Sequence, residues 1–134
     1  VGEVRGGEAL DMIQALNTGH EGSMTTVHAN SPSDALRRLA TMALLADSGL
    51  PHDAILEQLA ATVDLVVQQA RFRDGRRRMT AIAAVAARRG RPRLQTIFAF
   101  CPTEGFVRAC AGLPPRLAAR LDRGGAPPAG GSAP

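Results

Sequence analysis

No lysine, tryptophan or tyrosine occurs in the 134 residues, and each gap narrows the possibilities. Without lysine there is no GK[ST] phosphate loop, whose ammonium group grips the terminal phosphates of a nucleotide. With four Phe as the whole aromatic complement, a core must be built from Ala, Leu, Val and Ile. The two cysteines, Cys101 and Cys110, show no CxxC spacing and no histidine at ligand distance. That is a poor framework for a metal or a disulfide and points to a reducing compartment. No apolar run approaches the ~18 residues that a membrane span requires, and no signal peptide is visible. The chain opens on Val1 rather than methionine, with Gly2 to Arg5 reading as the end of a buried element. A cut N-terminus and a soluble visible part are therefore expected.

All the basic charge is arginine, 16 residues against 12 acids, for a formal net charge of +4. It is unevenly placed: Arg71 to Arg93 holds nine arginines and one acid, Asp74. Such a patch attracts phosphate on nucleic acid, on anionic lipid or on a nucleotide. An acidic face of a neighbouring subunit, or plain solvent, suits it equally.

Apolar residues Ala9, Leu10, Met12, Ile13 and Leu16 recur at helical spacing, with Gly19 as the stop. Gly22 to Val27 reads as a short strand. Ser31-Pro32-Ser33-Asp34 starts a helix, Ser31 as cap and Pro32 in the first turn, carrying Ala35, Leu36, Leu39, Met42 and Ala43. A second begins near Pro51 with Ile55, Leu56, Leu59, Ala60 and Val63 on its buried face. Asp64 to Arg71 reads as a strand, Asp74-Gly75 as a hairpin turn, and Met79 to Val85 and Leu94 to Phe100 as further strands. A last helix is expected over Pro115 to Leu121, then a Gly/Pro-rich tail over residues 124–134. This order predicts an α/β protein, a mixed sheet extended by an antiparallel hairpin region. Expected units are residues 1–63, residues 64–123 as the hairpin-rich part of the same domain, and the tail.

Glu3 follows a short apolar segment and precedes the Arg5-Gly6-Gly7 turn. At the carboxyl end of a strand, such a carboxylate can orient or deprotonate a water attacking a γ-phosphate. Standing alone it reads more readily as a surface residue. His28 lies where a segment runs out into the Ser31 cap, and its imidazole can donate to a phosphate oxygen. A single histidine in that place is more often a structural hydrogen-bonder. Ser23, Thr25 and Thr26 lack a GxSxG elbow and an orienting acid, which rejects a hydrolase triad. His52, opening a helix, reads as a surface residue.

The combination of Gly2-Glu3-Val4-Arg5-Gly6, Thr18-Gly19-His20 and Thr25-Thr26-Val27-His28-Ala29-Asn30 resembles the type II/IV secretion ATPase superfamily. Within it, the pattern is most similar to the TadA/CpaF branch that serves Flp/Tad pilus assembly. The likeness extends to about residue 100, through Asp64 to Gln69 and Arg73-Asp74-Gly75. The resemblance implies the C-terminal half of a RecA-like P-loop NTPase domain. Glu3 is then the Walker B glutamate, His28 and His20 belong to the histidine box, and Arg5 supports the site. It also implies ATP and Mg2+ as cofactors of the intact protein, a hexamer, inner-membrane platform partners and a place on the cytoplasmic face of that membrane.

The phosphate loop is missing from these residues, so the 134-residue chain alone is expected to be inactive. Two other readings stay open. One is a non-catalytic module of a secretion hexamer. The other, a basic nucleic-acid-binding domain, is disfavoured because Phe72 alone among the patch residues offers a ring for base stacking.

Overall fold

The computed structural model describes residues 2–18, 22–46 and 49–124. Three helices come first: α1 (Glu8–Asn17), α2 (Pro32–Leu44) and α3 (His52–Thr62). Strands β1 (Leu65–Arg71), β2 (Arg77–Arg88), β3 (Arg91–Cys101) and β4 (Gly105–Arg108) follow, and α4 (Pro115–Gly124) closes the described chain.

The helix starts obey local chemistry. Ser31 Oγ accepts from the Asp34 N–H at 3.1 Å, with Pro32 in the first turn, where its missing N–H costs nothing. At α1, Glu8 reaches back to accept from the Arg5 N–H at 2.9 Å, which fixes the Arg5-Gly6-Gly7 turn. A Cβ on Gly6 would lie 3.3 Å from that carboxylate. The apolar stripes of the three helices and Val4 form one core around Ile13, Ile55, Leu59 and Val4. The expected stop at Gly19 lies outside the described residues; α1 ends at Asn17, where Thr18 Oγ1 donates to Ala15 C=O at 2.9 Å.

The sheet departs from expectation. Its four strands run β1-β2-β3-β4, every pair antiparallel, so among the described residues there is no mixed sheet. The strand expected over Gly22 to Val27 is absent. That segment meets residues 2–4 through one backbone bond, Val4 N–H to Thr26 C=O at 2.9 Å, and the Thr26 hydroxyl on Gly2 C=O at 2.5 Å. A strand needs a ladder, and a single rung does not make one. β4 was not anticipated, being only a four-residue return after Cys101. Gly124 ends α4 rather than opening a tail, and residues 125–134 lie outside the described part.

Ala83, Ala84 and Val85 of β2 are all buried, so both faces of that strand are covered. Ala84 and Ile97 pack with Leu117 of α4. Arg116 and Arg120 of α4 both pair with Asp64, just before β1. Arg116 also donates to Ala60 C=O at 2.8 Å and to Ala61 C=O, capping the end of α3. These charge-assisted bonds are partly solvated, so Arg116→Ala is expected to cost about 1–2 kcal/mol. Thermal unfolding measures it; an unchanged melting temperature means that Arg116 is not needed to hold α4.

Candidate functional site

Two short segments carry the chemistry. Residues 2–5 lead into α1 and residues 23–30 lead into α2, and the Val4–Thr26 bond holds them side by side. That contact brings Glu3 and His28 together, with Glu3 Oε1 3.0 Å from His28 Nε2. The other carboxylate oxygen, Oε2, accepts from Arg5 at 2.7 Å. Three of the four residues singled out from sequence thus share one place. The fourth, His20, lies outside the described residues. The expected setting is corrected, because neither Glu3 nor His28 stands at the end of a strand.

The environment is asymmetric. The Glu3 side chain is a quarter exposed, whereas His28 is 81% exposed. Glu3 Oε1 is closed off from solvent and accepts no hydrogen bond; the His28 ring is the group beside it. The Arg5 guanidinium holds the Glu3 carboxyl below the ordinary carboxylate range; burial opposes this, and Arg5, His28 and Arg38 reinforce it through their charge. A carboxylate held below its ordinary range is a weaker proton acceptor than a free one.

The lowered Glu3 pKa predicts a direction. Its contribution to folding is present above the usual value of 4.5 and is lost as pH falls through the lower folded value. Removing the guanidinium with Arg5→Ala is expected to move the Glu3 midpoint upward. Carboxyl-carbon NMR titration of the two proteins checks this, and coincident midpoints rule out Arg5 as the cause.

Sequence reasoning missed the support behind His28. Gln68 of β1 donates from Nε2 to Ala29 C=O at 3.0 Å, while the Thr80 hydroxyl of β2 donates to Gln68 C=O at 3.3 Å. The residue after His28 is therefore tied to the sheet, and two residues later Ser31 ties the segment to α2. The Asp64 to Gln69 run was recognised as part of the motif, but a bond across 39 residues has no local signal. His52 is exposed at the first position of α3 and takes no part.

The sequence profile described as "Type II/IV secretion system protein" matches residues 1–94. A Mycobacterium tuberculosis protein named for conjugal transfer is 45% identical over 98 residues, covering 73% of this chain and 27% of its own length. Conjugal transfer protein TrbB of Rhizobium radiobacter is 46% identical over 77 residues, 58% of this chain and 23% of its own. The crystal structure of the VirB11 ATPase from the Brucella suis type IV secretion system, in complex with sulphate, superimposes with a TM-score of 0.58 at 38% identity. It covers 62% of this chain and 26% of that one. This chain spans about a quarter of the length of these relatives. The fold, helices packed with an antiparallel sheet, is similar to that of the VirB11 ATPase. The chain belongs to the type II/IV secretion system protein family.

Proposed function

We propose that the chain is the water-orienting half of a RecA-like ATPase domain, and that the protein containing it is a hexameric motor for secretion or Flp/Tad-type pilus assembly. The observation that carries this is the pairing of Glu3 with His28 inside the family match. The VirB11 relative is itself described as an ATPase of a type IV secretion system. In this reading Glu3 is the Walker B glutamate, Arg5 keeps it ionised, and His28 senses the terminal phosphate. Inner-membrane platform proteins are its partners. No described helix is long and apolar enough to cross a membrane.

ATP and Mg2+ fit these residues on one side only. The exposed His28 imidazole suits a phosphate oxygen, and the Glu3 carboxylate beside it, a quarter exposed, suits a water. The chain has no lysine and no GK[ST] loop, and no group of three or more acidic, histidine or cysteine side chains among the described residues can hold a metal ion. In the intact protein other residues must cradle the nucleotide. This chain supplies a fixed negative charge at Glu3, a donor at His28 and the connection from His28 to α2.

The 134-residue chain alone is therefore expected to show no magnesium-dependent ATP hydrolysis, because no nest of N–H groups and no lysine remain to hold the β- and γ-phosphates. A longer protein that joins it to a GK[ST]-bearing half is expected to turn ATP over. Turnover by the short chain, or none by a folded longer protein, sinks the proposal.

A further inference from the structure

β2 and β3 are joined by a two-residue turn, Arg89-Gly90, with positive φ at both positions, 52° and 72°. That is the backbone of a type I′ hairpin turn, for which Asn, Asp or Gly is the unstrained choice at the first position. Arginine there is the one described non-glycine residue with positive φ, and an L side chain in that region is strained.

The register adds a second cost. Arg88 faces Arg91 directly, and Arg93 faces Ala86 two pairs further along, which puts three guanidinium groups on one face of the hairpin. Like charges facing across a ladder repel. Only Arg91 has a counter-charge, Asp53 of α3 at 3.1 Å. Arg88, Arg89 and Arg93 make no ion pair or side-chain hydrogen bond with the described residues. The β1–β2 turn differs: Arg71 faces Arg77 there too, but Asp74 sits in the loop and pairs with Arg78 at 2.5 Å.

The β2–β3 turn is also seated. A Cβ on Gly90 would meet the Glu57 side chain of α3 at 3.3 Å, and the Asp53 contact holds Arg91. The four arginines line an open cleft of about 420 Å³. A merely solvated edge needs neither a left-handed arginine nor facing like charges.

We propose that this cleft is a binding site for a phosphate-bearing anion, with Arg88, Arg89 and Arg93 as its ligands. Planar guanidinium forks match phosphate oxygens two at a time, and the anion removes the repulsion between them. The phosphate comes either from a lipid headgroup or from a small free polyphosphate. Nucleic acid is disfavoured because no ring is free to stack on a base: Phe72 and Phe100 pair edge to face at 5.0 Å, and Phe98 and Phe106 stack at 5.5 Å. The proposal does not depend on the ATPase reading.

The test uses the 134-residue chain, titrated with inorganic pyrophosphate and, separately, mixed with phosphatidylcholine vesicles with and without phosphatidylglycerol. Saturable pyrophosphate binding is expected, weakened by about tenfold or more in Arg89→Asn/Arg93→Gln. It should be essentially unchanged in Arg73→Gln/Arg76→Gln, which removes an equal charge from the other turn. Arg89→Lys/Arg93→Lys is expected to fall between, because a point charge replaces a fork. Arg89→Asn alone is expected to raise the melting temperature while lowering affinity, opposite movements that loss of folding cannot produce. Binding to phosphatidylglycerol vesicles that pyrophosphate competes away identifies a headgroup as the source; pyrophosphate binding without vesicle binding identifies a free phosphate. No binding of either probe, equal losses in Arg73→Gln/Arg76→Gln, or tight binding confined to single-stranded DNA overturns the proposal.

Discussion

Glu3→Gln in the full-length protein is expected to lower ATP turnover by roughly two to four decades while leaving nucleotide affinity nearly unchanged. The substitution keeps the side chain's shape and removes the charge that Arg5 holds in place. A glutamine also presents an amide N–H₂ where Glu3 now offers carboxylate oxygens beside Arg5 and His28. Folding should hardly change, because the Arg5 partner is exposed and a pair of that kind contributes little stability. Turnover, affinity for a non-hydrolysable nucleotide and melting temperature, measured on one preparation, separate chemistry from folding. Hydrolysis at the parent rate by the glutamine protein removes Glu3 from the mechanism. The size of the loss is informative too: a small loss suits a carboxylate that orients water, and a large one suits a true base.

Much of this was legible in the chain because the signals are local. The Ser31-Pro32-Ser33-Asp34 cap, the stripes through Ile13, Leu39 and Leu59, and the Asp74-Gly75 turn each depend on neighbours within four or five residues. Their elements appear where the spacing put them. What misled was the segment Gly22 to Val27. Its composition suits a strand, but strand formation depends on partners, and it finds one backbone bond to residues 2–4. The bonds that position things across distance had no signal at all. Arg120 reaches Asp64 across 56 residues, and Gln68 reaches Ala29 across 39. At the site, the motif named Glu3, Arg5 and His28, but not that one carboxylate meets Arg5 and His28 through different oxygens. That division is what turns a motif into a geometry with a predictable acidity.

His28→Ala tests whether that geometry senses or merely supports. A ring that is 81% exposed has little packing to lose, so its removal is expected to change folding stability by no more than about 0.5 kcal/mol, whereas a structural role predicts a lowered melting temperature with activity intact. A sensing role predicts a different pattern in the full-length protein: nucleotide still bound, hydrolysis down by about two decades, and secretion or pilus output lost with it. The physical route is short. A pull on the His28 ring acts on Ala29, held to β1 by Gln68, and on Ser31, whose hydroxyl caps α2 through the Asp34 N–H. Contact with a phosphate thus reaches a helix through three residues of chain, a displacement that a packed element passes on rather than absorbs. Gln68→Leu provides the graded comparison, since it leaves the imidazole in place and cuts one anchor behind it. Its turnover is expected to fall less than that of His28→Ala, with affinity unchanged. If His28→Ala lowers stability instead, and activity per folded molecule stays at the parent level, His28 is a structural residue and the sensing step lies elsewhere.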